Sequence, residues 1–130
     1  MGQQQLLLLI LGAIIIGMAI YMGILMFATN NAASNKDAII SDLIELGSDA
    51  YGFIYRPVTM GGGGGSYAGY TISAKSPWGP SNVNATYTIT SQTASRIDFL
   101  ATSKVVAGAS ISEAFDNSGK NISGPVMAGF

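Results

Sequence analysis

Seven carboxylates carry most of the acid–base chemistry open to this chain of 130 residues, which has no histidine and no cysteine. Asp37, Asp42, Glu45 and Asp49 recur through one stretch, where the solvated face of a helix accounts for them. Asp98, Glu113 and Asp116 show no spacing that pairs a general acid with a general base. The serines and threonines form no recognisable arrangement with a base that would activate a hydroxyl. Composition alone excludes thiolate and imidazole metal sites. No enzyme, cofactor or metal centre is expected.

Three other groups of residues invite a chemical reading. The stretch "MGGGGGSYAGY" (60–70) suggests a phosphate-binding loop, but neither Lys-Ser or Lys-Thr nor a helix-forming stretch follows it. It is expected to be a flexible surface connection that tolerates loss of two residues from Gly61–Gly65. Tyr51, Phe53, Tyr55, Tyr67, Tyr70 and Trp78 suggest a stacking stripe, even an electron-conducting one. Core and subunit-contact roles are the expectation for most of them. Asn84-Ala-Thr86 and Asn121-Ile-Ser123 are N-glycosylation tripeptides in expected loops or strand ends. The many serines and threonines offer O-glycan sites equally well.

The elements that must hold these residues begin with "MGQQQLLLLILGAIIIGMAIYMGILMFATN" (1–30), which contains no charged side chain. Leu6–Ala28 is 23 residues of apolar side chains and glycine, long enough to cross a bilayer. A secretory signal would have a basic start and a shorter core, whereas the first basic residue here is Lys36. A plain membrane anchor fits the length but lacks the flanking basic residues that fix orientation. A third reading is a helix stored in the membrane that later packs with copies of itself. Gly12, Gly17 and Gly23 would let such helices approach closely.

"NNAASNKDAIISDLIELGSDAYGFIYRP" (30–57) has no strong breaker before Pro57. Ile39, Ile40, Leu43, Leu46, Ala50, Tyr51 and Ile54 recur at helical spacing, which predicts an amphipathic helix lying on a small domain. Asn30–Asn35 offers a break, yet nothing there forbids one helix from about Gln3 to Tyr55, roughly 80 Å long. Beyond the glycines, strands are expected at 70–74, 85–90 and 96–100, and less firmly near Val105-Val106 and 124–130. Ala85, Tyr87 and Ile89 share one face, as do Ile97 and Phe99. The fold class is α+β, a long helix on a small antiparallel sheet. The expected divisions are a helix segment (1–30) and a head (31–130), the head comprising helix 31–56, glycine loop 57–69 and sheet 70–130.

Whole-chain numbers agree with so simple a layout. The length has room for one domain plus the helix. Charged residues make up 10% of the chain, well below the usual quarter. A net charge of -1 argues against nucleic acid as a partner. The lack of cysteine does not fix a compartment, because an extracellular protein can do without disulfides.

This order of parts resembles type IV pilins and related pseudopilins. The architectural likeness covers the whole chain, and the motif-level likeness only the first thirty residues. The resemblance implies cleavage by a prepilin peptidase and N-methylation of the new first residue, here Met1. An alternative frame makes Gly2 the last residue of a short leader. Gln5 then lies where most of the family carries a glutamate thought to offset the amine of a neighbouring subunit. Gln5 can offer only an amide oxygen to that amine, through a charge-assisted hydrogen bond. Gln3, Gln4 and Gln5 would form a neutral polar layer, or simply sit at the membrane interface. There is also no proline near Tyr21 and no cysteine pair near the C-terminus.

The resulting expectation is a structural subunit of an extracellular helical filament on the cell surface. It would be held in the cytoplasmic membrane first and extracted by ATP-driven assembly machinery. Its partners would be copies of itself, and any helical break in the polymer would fall between Gly17 and Gly23. The alternatives are a single-pass anchor displaying a small β-rich binding domain, or a minor pseudopilin of a secretion system.

Overall fold

A computed structural model describes residues 2–73 and 79–130. The expected Met1 modification site and Trp78 lie outside these residues. The chain forms one long helix, α1 (Gly2–Tyr55), then a single 3-10 turn (Val58–Met60) and four strands. The strands are β1 (Ala85–Gln92), β2 (Arg96–Ser103), β3 (Ser110–Asp116) and β4 (Val126–Ala128), paired antiparallel in the order β1-β2-β3-β4. The class is α+β, as the sequence suggests. Two compact units result, Met1–Ala33 and Ser34–Phe130.

Helix α1 crosses Asn30–Asn35 without interruption and stops where Pro57 removes a donor and fixes the backbone. In the second unit Ile39, Leu43, Leu46, Ala50 and Ile54 form its buried stripe, with Ile40 and Tyr51 partly covered beside it. The sheet presents Ala85 and Tyr87 from β1, Ile97, Phe99 and Ala101 from β2, and Ile111 and Phe115 from β3. The two-residue period of the strands and the helical stripe therefore close one core. Gly47 permits the close approach, since a Cβ there would lie 2.4 Å from the Phe115 ring.

Several details differ from expectation. Residues 70–73 form no strand: Tyr70 is buried, and its carbonyl accepts the Gln92 side chain at 2.8 Å instead of a ladder partner. Val105 and Val106 belong to the β2–β3 connection, where their N–H groups donate to Ser103 Oγ. Strand β3 was not expected, because Glu113 occupies an inward position between Ile111 and Phe115 and breaks the apolar alternation.

The glycine tract is ordered, not a flexible connection. Gly63 donates to the Phe53 carbonyl, Gly64 to Arg56 and Gly65 to Ile54, at 2.9, 3.1 and 2.7 Å. These bonds satisfy carbonyls that the end of α1 would otherwise leave open. Gly61, Gly64 and Gly65 have positive φ, and a Cβ on Gly63 would meet the Ser66 carbonyl oxygen at 1.9 Å. Only glycine fits this helix cap.

Candidate functional site

The first unit is a bare helical surface. Its large apolar side chains from Leu6 to Phe27 are each 49–73% exposed, and none is buried. An 18-residue window here has a mean hydropathy of 2.6, so the helix is long and apolar enough to cross a membrane. A single helix cannot shield its own side chains. Within its own unit nothing covers these side chains, so they form an exposed apolar surface.

Gly12, Gly17 and Gly23 lie within the unbroken helix, and a Cβ on any of them would meet nothing within 4 Å. Each costs about 0.5–1 kcal/mol relative to alanine in a helix interior. The fold of the chain itself gives no reason for them. At about 100° per residue, Gln5, Gly12, Ala19 and Gly23 fall within a sector of roughly 40°, with Gly17 well outside it. Gln3, Gln4 and Gln5 occupy the first turns and are exposed.

In the second unit, two of the helix acids expected on a solvated face instead pin the helix to the head. Asp42 Oδ2 accepts from the Tyr87 hydroxyl and from the Asn82 side chain at 2.8 Å, with Asn84 Nδ2 at 3.3 Å. Asp49 accepts from the Tyr70 hydroxyl at 2.5 Å. Burial and these carboxylates push both phenols well above the ordinary tyrosine value. Asn35 is buried, donating to the Asn84 carbonyl at 3.1 Å and accepting from Ser103 Oγ at 2.6 Å. The sequence signal for these pins is that Asn35, Asp42 and Asp49 repeat every seven residues beside the apolar stripe.

The remaining acids have separate surroundings. Asp98 pairs with Arg96 at 2.6 Å on the strand surface. Asp116 Oδ1 accepts from the Ser118 and Lys120 N–H groups and the Ser118 hydroxyl, which lowers its pKa. Glu113 is buried opposite Phe99, its Oε2 has no hydrogen-bond partner among the described residues, and burial raises its pKa. Among the described residues, no group of three or more acidic side chains is placed to hold a metal ion.

Four aromatic side chains stack edge to face: Phe53 on Tyr70, Tyr70 on Phe99, and Phe99 on Phe115, with centroids 5.4–6.2 Å apart. Tyr67 and Tyr70 are core residues, whereas Tyr55 is exposed and meets Tyr51 edge to face. The two glycosylation tripeptides also differ. Asn84 sits in the Asp42 cluster at the entry to β1, and Asn121 in the surface connection between β3 and β4.

No protein-family model matches the chain, and comparison with curated proteins and with solved structures finds no match.

Proposed function

We propose that this chain is the structural subunit of an extracellular helical filament resembling a type IV pilus. The observation that supports it is the charge-free N-terminal helix surface, every large apolar side chain of which is exposed. In the membrane, lipid covers that surface. In a polymer, the same surface packs against neighbouring helices while the small heads stack outside. Such a contact is heterologous and does not close, so it yields a fibre rather than a ring. The three glycines fit close helix packing, which the isolated chain does not use. The layout of long helix and small antiparallel sheet is compatible with pilins, and the resemblance brings prepilin peptidase and assembly machinery as partners. No catalytic role belongs to this reading.

A second reading rests on the same helix being long and apolar enough for a membrane span. The chain would then stay in the bilayer as a single-pass anchor for its head. Electron microscopy of material sheared from cells, without detergent, distinguishes the two. Long regular filaments containing this chain support the polymer. Recovery only as small detergent-dependent particles overturns it.

A further inference from the structure

We propose that Asn121 is an N-glycan acceptor of this chain and that folding withholds Asn84, although both carry the required tripeptide. The inference rests on the reading that the head lies outside the cytoplasmic membrane, where lipid-linked oligosaccharides are transferred.

The two asparagines differ at the reacting atom. Asn84 Nδ2 faces Asp42 Oδ2 at 3.3 Å inside the cluster that pins helix to sheet. Its carbonyl accepts from Asn35 at 3.1 Å and from the Lys104 N–H at 3.0 Å, and its own N–H donates to Asn82 Oδ1 at 2.9 Å. Thr86 is already in the β1 ladder, opposite Thr102. Drawing Asn84 into an enzyme cleft would break the helix–sheet pins and the start of the sheet together.

Asn121 is held the other way round. Its Oδ1 accepts from the Ser123 N–H at 3.2 Å and from the Gly124 N–H at 2.7 Å. That arrangement fixes the carbonyl side of the amide towards the loop and turns Nδ2 away from it. Nδ2 makes no hydrogen bond among the described residues and is not a buried unpartnered atom. Ile122 and Ser123 are exposed. Although the Ile122 N–H donates to the Ala114 carbonyl at 2.9 Å and Ser123 Oγ accepts from the Ala114 N–H at 3.0 Å, these bonds tie the connection to β3 alone, and entry into a cleft would displace no large buried side chain. The same turn that keeps Oδ1 occupied therefore presents the nucleophile.

The co-reactant is an oligosaccharide on a polyisoprenyl diphosphate. Nδ2 forms a bond to the anomeric carbon while the bond from that carbon to the diphosphate oxygen breaks. The lipid diphosphate leaves with the electron pair, Nδ2 gives one proton to a base of the transferase, and nothing is oxidised or reduced.

The test uses the purified full chain in detergent with an oligosaccharyltransferase and its lipid-linked oligosaccharide, read by intact mass and peptide mapping. A synthetic peptide covering 118–126 serves as the positive control for the enzyme. The expected result is one glycan per chain, on Asn121, with Asn84 bare until the chain is denatured. Asn121→Gln abolishes the added mass, Ser123→Thr retains it, and Thr86→Ala leaves it unchanged. Modification of Asn84 in the folded chain, or a bare Asn121 when the peptide is modified, overturns the proposal. Filament formation is scored separately by microscopy, so either conclusion can fail alone.

Discussion

The Phe115 ring lies over the backbone of Gly47, with its Cζ 2.4 Å from where a Cβ would stand. Helix and sheet meet there with no room for a methyl group. Gly47→Ala is therefore expected to destabilise the head by about 1–3 kcal/mol, the usual cost of overfilling a packed core. Gly52, in the same helix, has nothing within 4 Å, and Gly52→Ala should gain about 0.5–1 kcal/mol from helix propensity. Denaturant unfolding of the full chain in detergent measures both. Equal midpoints for the two variants would contradict the close approach.

The glycine tract makes a second stability prediction. Gly63→Ala places a Cβ against the Ser66 carbonyl and should cost about 1–3 kcal/mol. Removing two of Gly61–Gly65 cannot keep all three bonds to Phe53, Ile54 and Arg56, so it should cost at least as much. A shortened tract with the parent's unfolding midpoint would restore the flexible-loop reading.

The sequence made the long helix, its stripe from Ile39 to Ile54 and strands β1 and β2 legible, because each follows a clean 3.6- or two-residue period, and β4 (Val126–Ala128) falls inside the strand expected within 124–130. Polar side chains obscured the rest. Glu113 hid β3 by standing at an inward position, and Asp42 and Asp49 looked solvated because their partners lie 21–45 residues away. The tract 61–65 looked loose because composition does not show which carbonyls a loop will cap. The apolar surface of the first unit was fully legible, since it depends on nothing beyond local composition.

Stability should depend on pH through Glu113. Its folded pKa is raised above the ordinary 4.5 by burial, so its contribution is complete below that value and declines as pH rises past it. Thermal unfolding of the full chain should show this decline, and Glu113→Gln should flatten it. Asp116, whose pKa is lowered, acts oppositely and only as pH falls below about its ordinary 3.8. Tyr70 and Tyr87, both raised, should add a further loss as pH rises past 10.0. An unchanged profile in Glu113→Gln would show that this carboxyl is solvated in the folded head.

At the amino terminus, the pilin reading expects a processed and N-methylated Met1, checked by mass spectrometry of the first peptide. An unmodified start encoded by the first codon would remove the prepilin reading. Gln5→Leu is expected to lower filament yield while leaving membrane insertion intact, because it removes the acceptor for a neighbouring amine. Full yield would leave Gln5 an interfacial role only.

The last prediction concerns where the assembly energy resides. On the filament reading, fully burying a leucine or isoleucine is worth about 1.5–3 kcal/mol relative to water, but lipid would already cover these side chains before assembly. The gain on polymerising must then come from close packing of helices. Gly12 and Gly23 share a sector with Ala19, so Gly12→Leu or Gly23→Leu should reduce filament yield more than Gly17→Leu. Ile15→Lys should abolish filaments and impair membrane storage, because a charge at mid-bilayer costs about 2.5–3.5 kcal/mol or more. Molar salt, which screens mainly exposed charges, should leave filaments intact. Filaments that dissolve in salt alone, or that form from Ile15→Lys, would move the assembly energy from the helices to the heads.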